Sequence, residues 1–469
     1  MARVLFVQTE WFEHLGILSL AASARAAGHH AGLLLGRGLK STVAEIVDAA
    51  PDVAAFSSST GAHRAALAVA RALRPWFHGL IIMGGPHPTF FPEVIAEPCL
   101  DAICRGEGEG PLIELLDRID AGQDLSELPG FWIKQHGKVI SKGQPGLAAD
   151  LDSLPFPARD LLEKADPFFK NYSMRRVMAG RGCPHQCTYC FNRALREMVK
   201  GQGPYVRLRG VDNVMAELKN IAAHGRRTIN FVDDTFGLKR SWTLELLERY
   251  RSEIALPFIV NLRPEQADAE LVAALKTAGC YCAQVGVESA NPRIRREVLG
   301  RDVEDEVLEG AAARIKQAGI RLLTYNMVGL PGESLADAAE TFDWNARLKV
   351  DFPRISIFQP YPRTELGDRA LRAEGAEPCL DAISESYFRS SPLKGREARR
   401  IENLHKLFWP YLRLPATRPL IRQLIRLPAN PLYDLVFLAS IGLQYRRAVN
   451  MTLPETLRLG LRNLGAYFS

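Results

Sequence analysis

The sequence predicts an α/β protein in which two parallel sheets, each built from alternating strands and helices, are followed by a mostly helical C-terminal region. Three observations support this fold class. Apolar runs alternate with helix-like segments over residues 1–125, a second alternating series begins near residue 172, and the alternation stops near residue 380. Such alternation favours parallel strands joined by crossover helices. A chain of 469 residues is also long enough for two or three domains.

Composition is that of an ordinary globular enzyme. The chain is 47% apolar and 24% charged, and its net charge of +6 gives no footprint for nucleic-acid binding. Its 8 cysteines are too few for a disulfide scaffold, and their clustering favours metal ligation in a reducing compartment. The first residues do not have the pattern of a secretory signal, and no run of 18 apolar residues predicts a membrane-spanning helix. We therefore expect a cytoplasmic protein.

Residues 1–125 predict an open, Rossmann-like sheet. The helices are expected at Leu15–Ala27 and Ala62–Leu73. The strands are expected at Arg3–Val7, Ala31–Leu35, Val53–Phe56 and Leu80–Met83.

Polar loops follow three of these strands, at Gln8–Glu10, Ser57–Gly61 and Gly84–Thr89. In a parallel sheet such loops lie together at the carboxyl ends of the strands, where ligands bind. Their glycines let the backbone approach a phosphate-bearing ligand closely.

Residues 126–170 predict a connector. Phe131–Ile140 has the pattern of a small hairpin that turns at His136-Gly137, and Leu154–Arg159 is a proline-stiffened linker.

A second series of β/α units is predicted for residues 171–380. Its helices are expected at Val211–Ala223, Ser241–Glu253 and Asp268–Ala278. In barrels of such units the loops at the strand carboxyl ends carry the chemistry. The strands are expected at Arg175–Met178, Thr228–Val232, Phe258–Leu262, Ala283–Val287, Leu322–Met327 and Arg354–Phe358.

The first of those loops contains three cysteines. Cys183, Cys187 and Cys190 form a C-x3-C-x2-C run, with Tyr189 just before the last of them. Three thiolates on one loop can hold one metal centre, one ligand short of a closed zinc site or of an ordinary four-cysteine cluster. The alternatives are three structural cysteines or a zinc knuckle.

This run resembles the signature of the radical S-adenosylmethionine (SAM) enzymes. The resemblance implies a partial (β/α)6 barrel and a [4Fe–4S] cluster on the three cysteines. In that family the open iron chelates the amino and carboxylate groups of SAM and cleaves it reductively to a 5′-deoxyadenosyl radical.

The resemblance also assigns roles to residues at the ends of the other predicted strands. Asp233 or Asp234 is expected to contact the methionine amino group, Arg263 the methionine carboxylate, and Glu288 the ribose hydroxyls of SAM. Guanidinium geometry suits a carboxylate partner. Met327–Glu333 resembles the G-L-P-G-E turn that lies near the adenine.

The N-terminal loops resemble those of the cobalamin-binding domain that is fused to many of these enzymes. The resemblance places cobalamin between the two domains. The residues expected to bind it are Ser57, Ser59, Thr60, Gly84, Gly85, Pro86 and His87.

One family pattern is missing from this domain. Members that supply a histidine to cobalt carry Asp-x-His-x-x-Gly after the first strand, and this chain has Glu10–Gly16 instead. We therefore interpret His14 as a helix-start residue and expect no protein histidine on cobalt.

The C-terminal region, residues 381–469, is predicted to be helical and basic. Residues 404–469 carry nine Lys and Arg against two acids. Two interpretations stay open: a helical cap over the open side of the barrel, or a surface that rests on an anionic membrane. Elsewhere, Cys280 and Cys282 are interpreted as buried cysteines rather than ligands of a second cluster.

These features predict a cobalamin-dependent radical SAM methyltransferase that acts on an unactivated carbon or phosphorus centre. In methylating members of the family, the radical abstracts hydrogen from the substrate, which then takes methyl from methylcobalamin. The main alternative is a radical oxidoreductase or cyclase without methyl transfer, like the tetrapyrrole oxidative cyclases. A non-catalytic cofactor-binding protein is a third.

The expected partners are a small molecule, such as a lipid or tetrapyrrole, and a reductant such as flavodoxin or ferredoxin. Nucleic acid is not expected. Any peripheral membrane contact would be at the inner membrane face.

Overall fold

The structure is a computed structural model, and it describes residues 1–143, 146–225, 227–375, 377, 379–384, 386–395 and 397–468. The chain divides into two units. The N-terminal unit comprises Met1–Tyr172 and Leu195–Arg209, and the C-terminal unit comprises Ser173–Ala194 and Gly210–Ser469. Residues 195–209 therefore belong to the first unit although they follow the cysteine loop in sequence.

The strands are β1 Arg3–Gln8, β2 His30–Leu35, β3 Val53–Ser57, β4 Leu80–Gly84, β5 Ala102–Cys104, β6 Phe131–Gln135, β7 Lys138–Ser141, β8 Met174–Val177, β9 Gly180–Arg181, β10 Arg207–Leu208, β11 Thr228–Phe231, β12 Phe258–Leu262, β13 Cys280–Glu288, β14 Arg321–Val328 and β15 Phe352–Ile357.

The α-helices are α1 Leu15–Ala26, α2 Leu39–Ala49, α3 His63–Leu73, α4 Pro86–Phe90, α5 Glu109–Asp120, α6 Arg159–Ala165, α7 Phe191–Met198, α8 Val211–Ala223, α9 Arg240–Glu253, α10 Ala269–Thr277, α11 Asp305–Gln317, α12 Leu335–Arg347, α13 Glu365–Ala373, α14 Ala398–Lys406, α15 Phe408–Arg413, α16 Arg418–Leu424, α17 Pro431–Ala448 and α18 Leu453–Phe468.

The N-terminal unit contains a seven-stranded sheet of order β2-β1-β3-β4-β5-β6-β7. Its first five strands are parallel, and β6 and β7 are antiparallel additions at one edge. The connections reverse direction between β1 and β3, the kind of switch point at which open α/β sheets bind ligands. Residues 53–56 of β3 are all buried, as expected for a strand covered by helices on both faces.

The predicted hairpin forms, and it extends this sheet. Its turn has φ of 50° at His136 and 73° at Gly137, which suits a two-residue hairpin loop. Pairing of Phe131 with Cys104 attaches the hairpin to β5. Local sequence predicts the turn, whereas the free edge of β5 decides where the hairpin packs.

The C-terminal unit contains a six-stranded sheet of order β15-β14-β13-β12-β11-β8, in which all neighbours are parallel. All six predicted strands are present in the predicted order. The core between this sheet and its helices includes Phe231, Phe258 and Leu275. Local capping agrees with the fold, since the Asp268 carboxylate accepts a hydrogen bond from Leu271 N at 2.8 Å and starts α10.

The C-terminal helices pack against the β15 side of this sheet. Ile355 and Ile357 of β15 share a core cluster with Leu404 of α14, Tyr411 of α15 and Phe437 of α17. These helices therefore cover the edge strand, as a cap does. Across the described residues, no helix has both the length and the apolarity that crossing a membrane requires.

Candidate active site

The carboxyl ends of the six parallel strands form one edge of the C-terminal unit, which we call the carboxyl edge. β8 leads into the cysteine loop, and β11 leads to Asp233 and Asp234. Arg263 follows β12 directly, and Glu288 is the last residue of β13. Parallel pairing therefore brings together residues that are far apart in sequence, as barrels of β/α units do.

Each cysteine of the loop has a different neighbour at this edge. The Cys183 sulfur lies 3.7 Å from the Thr235 hydroxyl, and Arg263 Nη1 donates to the Cys187 sulfur at 3.7 Å. The Cys190 sulfur accepts from the backbone N of Asn192 at 3.4 Å. Burial raises the pKa of Cys190 to about 11, so a bound metal must displace its proton.

The three thiols are the predicted ligands of an iron–sulfur cluster. Within the described part of the chain, no three His, Cys, Asp or Glu side chains surround a single ion position. A [4Fe–4S] cluster does not require such a group, because each cysteine binds a separate iron. Hydrogen bonds to the sulfurs, which Cys187 and Cys190 receive here, are among the features that set cluster potentials.

A buried arginine that sequence reasoning missed connects the cysteine loop to Glu288. Arg301 Nη1 lies 3.3 Å from Glu288 Oε1 and donates to the Tyr189 hydroxyl at 3.2 Å, and Nη2 donates to Gly286 O at 2.7 Å. The Arg301 side chain is only 5% exposed. Burial raises the pKa of Glu288, and the charge of Arg301 opposes that rise.

The backbone around Glu288 is adapted to this contact. Glu288 has φ of 65°, a left-handed conformation that non-glycine residues rarely adopt. A Cβ atom on Gly286 would lie 2.7 Å from Glu288 Oε1 and 3.1 Å from Arg301 Nη1, so a larger residue there would displace the pair. From the sequence, functional roles are assigned only to residues at the ends of predicted strands. Arg301 follows a helical turn instead, so sequence reasoning could not identify it.

The two neighbouring aspartates occupy different environments. Asp233 is buried, and its carboxylate accepts from Ala179 N at 3.2 Å, inside the loop that leaves β8. Burial raises the pKa of Asp233 to about 7. Asp234 is exposed, and Asn192 beside the third cysteine hydrogen-bonds its carboxylate. The exposure of Asp234 makes it the better placed of the two to meet a ligand.

Arg263 already has protein partners. Its Nη2 forms an ion pair with Glu265 Oε1 at 2.6 Å, while Nη1 reaches the Cys187 sulfur. The G-L-P-G-E turn is closed by Glu333, whose carboxylate accepts from Gly329 N at 2.6 Å and Leu330 N at 3.1 Å. The roles predicted for Arg263 and for this turn toward SAM stay predictions.

In the N-terminal unit, the predicted ligand loops after β3 and β4 are tied together. Ser58 N donates to Gly84 O at 3.0 Å, and His87 N donates to Ser58 O at 2.8 Å. A Cβ on Gly85, where φ is 91°, would lie 2.9 Å from Ser58 N. Glycine is thus required for the two loops to approach each other, and Pro86 then begins α4.

Some side chains of these loops contact each other, whereas others have no partner among the described residues. The Thr60 hydroxyl lies 3.1 Å from His87 Nδ1, and His63 stacks on the His87 ring with centroids 3.8 Å apart. Burial lowers the pKa of His87 to about 3, so this histidine stays neutral. By contrast, the half-buried Ser57 and Ser59 hydroxyls bond to no described residue. They are the better candidates for contact with cobalamin.

His14 caps the start of α1. Its Nδ1 accepts from Ile17 N at 3.3 Å, so the imidazole has a structural partner. The helix-start interpretation made from the sequence agrees with this geometry.

We expect His14→Ala to leave the cobalamin affinity unchanged within about twofold, while the lost cap destabilises the fold by ~1 kcal/mol. The electron paramagnetic resonance spectrum of the reduced cobalamin state should be the same in both proteins. Nitrogen superhyperfine splitting that is present in the parent protein and absent from the variant would show that His14 binds cobalt.

Cys280 and Cys282 lie inside β13, and both are buried. Burial raises the pKa of Cys280 to about 12. Buried thiols of this kind behave as small apolar side chains. Cys99 and Cys104 are also buried, whereas Cys379 is exposed.

Comparison with known proteins identifies the family of this chain. Residues 177–344 match the radical SAM superfamily, and residues 9–116 match the B12 binding domain. An uncharacterized methyltransferase of Pyrococcus horikoshii is 30% identical over 326 residues, which cover 68% of this chain and 70% of that protein. The chain belongs to the cobalamin-binding radical SAM family. Its cofactors are those of the family: a [4Fe–4S] cluster, SAM and cobalamin.

Two other relatives of this radical SAM enzyme have named activities. A bacteriochlorophyllide d C-12(1)-methyltransferase of Chlorobaculum tepidum is 24% identical, over 70% of this chain and 68% of that protein. An anaerobic magnesium-protoporphyrin IX monomethyl ester cyclase of Rubrivivax gelatinosus is 25% identical, over 68% of this chain and 59% of that protein.

A solved structure has the same fold. The radical SAM methyltransferase TsrM of Kitasatospora setae, solved with cobalamin and a [4Fe–4S] cluster bound, aligns with a TM-score of 0.67. The alignment covers 81% of this chain and 80% of TsrM, at 17% sequence identity. The predicted family and fold class, an enzyme with a cobalamin domain and a radical SAM domain, are confirmed.

Proposed function

We propose that this radical SAM enzyme is a cobalamin-dependent methyltransferase that methylates an unactivated carbon or phosphorus centre of a small molecule. The observation that carries the proposal is the combination, on one chain, of both domains with three cysteines at the carboxyl edge. The methyltransferase relatives support methyl transfer. When bound, the cluster with SAM supplies the radical and cobalamin supplies the methyl group.

In this proposal the chain's own residues bind and orient SAM beside the cluster. Cys183, Cys187 and Cys190 hold the cluster. The exposed Asp234 faces the methionine ammonium, since a carboxylate and an ammonium form a charge-assisted hydrogen bond.

The methionine carboxylate and the ribose of SAM meet other residues, Arg263 and the buried Glu288–Arg301 pair. Arg263 faces the methionine carboxylate, as the two charges favour. Glu288 accepts from the ribose hydroxyls, and the charge of Arg301 favours the ionised form of its carboxyl.

The two aspartates should respond differently to conversion to asparagine. Asp234→Asn removes the charge that faces SAM and should weaken SAM binding about tenfold to a hundredfold, the usual value of a hydrogen bond to a charged group. Asp233→Asn is the matched control, because an amide oxygen can still accept from Ala179 N. The dissociation constant of SAM for cluster-loaded protein checks this, and a larger loss in Asp233→Asn than in Asp234→Asn would reverse the assignment.

For the substrate, we propose a hydrophobic small molecule of the tetrapyrrole or lipid class. The support is that the names of the two relatives above, a bacteriochlorophyllide methyltransferase and a magnesium-protoporphyrin cyclase, both refer to tetrapyrroles. A low-potential protein such as flavodoxin or ferredoxin would reduce the cluster. Peripheral attachment to the inner membrane face belongs to the same proposal.

The mass of the product tests the reaction type. Cluster-loaded enzyme with cobalamin, SAM, reductant and a candidate tetrapyrrole should give a product heavier by one methylene unit. SAM labelled with deuterium in its methyl group should pass that label to the product. The cyclase relative favours a second candidate reaction, which would give hydrogen loss or oxygen insertion and no label. Absence of SAM cleavage under reducing conditions would instead contradict catalysis altogether.

A further inference from the structure

Helices α17 and α18 carry an outward surface of leucine and arginine, which we call the Leu–Arg face. We infer that the Leu–Arg face docks on an anionic lipid bilayer. This inference deepens the proposed peripheral attachment and does not depend on methyl transfer. The face consists of Leu432, Leu435, Leu443, Leu453, Leu457, Leu461, Arg446, Arg447, Arg458 and Arg462.

The apolar residues of α17 lie on two sides of the helix, and only one side is covered. Tyr433 and Phe437 are buried. Leu432, Leu435 and Leu443 are 58%, 62% and 53% exposed. A helix that is apolar on every side is normally enclosed by protein or lipid. The outward side of α17 therefore has the composition of a contact surface.

The next helix extends the same pattern. Leu453, Leu457 and Leu461 are spaced four residues apart, so they form one stripe along α18. All three are exposed, and Leu461 is the most exposed at 71%. Arg458 and Arg462 each follow one of these leucines in sequence and are exposed too. Leucines flanked by arginines are typical of helices that lie in the plane of a membrane interface.

The region of α17 and α18 has an excess of positive charge. Its two acidic side chains, Asp434 and Glu455, bond to other groups of the protein. Asp434 forms an ion pair with Lys406 at 2.9 Å. Glu455 accepts from Ser173 N at 2.7 Å and from Thr452 N at 2.9 Å. The side chains of Arg446 and Arg447 form no ion pair with any described residue. Arg446 and Arg447 therefore give the Leu–Arg face uncompensated positive charge.

The positive charge favours an anionic lipid surface over a second copy of the chain as the partner of the Leu–Arg face. A second copy of the chain would pack the same arginines against each other in a symmetric interface, which like charges oppose. Anionic lipid instead offers acyl chains to the leucines and phosphates to the arginines. Each basic residue near such a surface adds about fivefold to the affinity.

The junction of α17 and α18 lies at the amino ends of the strands, opposite the carboxyl edge. Arg447 O accepts from the Tyr281 hydroxyl at 2.7 Å, near the start of β13. Asn450 Nδ2 donates to the Thr228 hydroxyl at 3.4 Å, at the start of β11, and Glu455 meets Ser173 just before β8. The junction is therefore held by contacts that lie away from the candidate active site.

Vesicle flotation of the 469-residue chain tests the inference. The vesicles are phosphatidylcholine alone, or phosphatidylcholine with about one-third phosphatidylglycerol, each at low and high salt. We expect binding to the anionic vesicles only, with release by salt. Arg446→Gln with Arg447→Gln should lower the partition coefficient about thirtyfold. Leu453→Ser with Leu457→Ser should also lower it.

The control variants change exposed apolar and basic side chains elsewhere in the chain. Trp76→Ser removes a 70% exposed apolar side chain, and Lys40→Gln with Lys138→Gln removes two exposed charges in the N-terminal unit. Both should float like the parent protein, and all variants should retain SAM cleavage. Equal binding to neutral and anionic vesicles, no binding to either, or an arginine variant that floats unchanged would each overturn the inference. None of these outcomes bears on methyl transfer, which is measured without vesicles.

Discussion

Replacing Cys183, Cys187 and Cys190 together by alanine is expected to abolish both the iron–sulfur cluster and the cleavage of SAM. The parent protein, reconstituted anaerobically, should contain about four iron atoms and show the brown absorbance of such clusters. The variant should contain almost none, because the cysteine loop then offers no thiolate. Iron and sulfide content, together with 5′-deoxyadenosine release under reducing conditions, measure this effect.

Cys379→Ala is the matched control, since it removes an exposed thiol outside the cysteine loop. It should bind a full cluster. A triple variant that keeps four iron atoms would place the cluster elsewhere. Cys280 and Cys282 would then be the first residues to test, and their burial in β13 is the reason we do not expect that result.

Arg301→Met is expected to weaken SAM binding at neutral pH by about a hundredfold, the upper range for a hydrogen bond to a charged group. Without the guanidinium, burial raises the pKa of Glu288 further, and its carboxyl stays protonated to higher pH. The affinity of the variant for SAM should therefore increase as the pH rises, whereas that of the parent protein should change less. Removing one partner of a buried ion pair should also destabilise the fold by about 3–5 kcal/mol.

Two further variants separate this positioning role from a general loss of stability. Arg301→Lys keeps the charge but not the forked geometry, so it should recover part of the affinity. Arg296→Met removes an arginine that pairs with Asp302 at the surface, where ion pairs contribute little. It should behave like the parent protein. If Arg301→Met binds SAM normally at every pH, then Arg301 does not act through Glu288.

Much of the fold could be predicted from the sequence because its signals are local. The buried parallel strands are short apolar runs, so Phe258–Leu262 forms a strand with the predicted bounds. Prediction also succeeded where one side chain makes one local contact, as when His14 caps α1. The three cysteines of the C-x3-C-x2-C run lie within eight residues, which is why the resemblance to the family could be seen in the sequence alone.

Only the tertiary structure decided which of several chemically similar groups faces which neighbour. The sequence could not rank Asp233 against Asp234, since the packing of β8 beside β11 buries one and exposes the other. Nothing local singles out Arg301, whose partners lie 13 and 112 positions away. From the sequence, the basic tail stayed undecided between cap and membrane surface. In the folded chain α17 has one covered side and one exposed side, because burial is set by distant segments rather than by the helix's own residues.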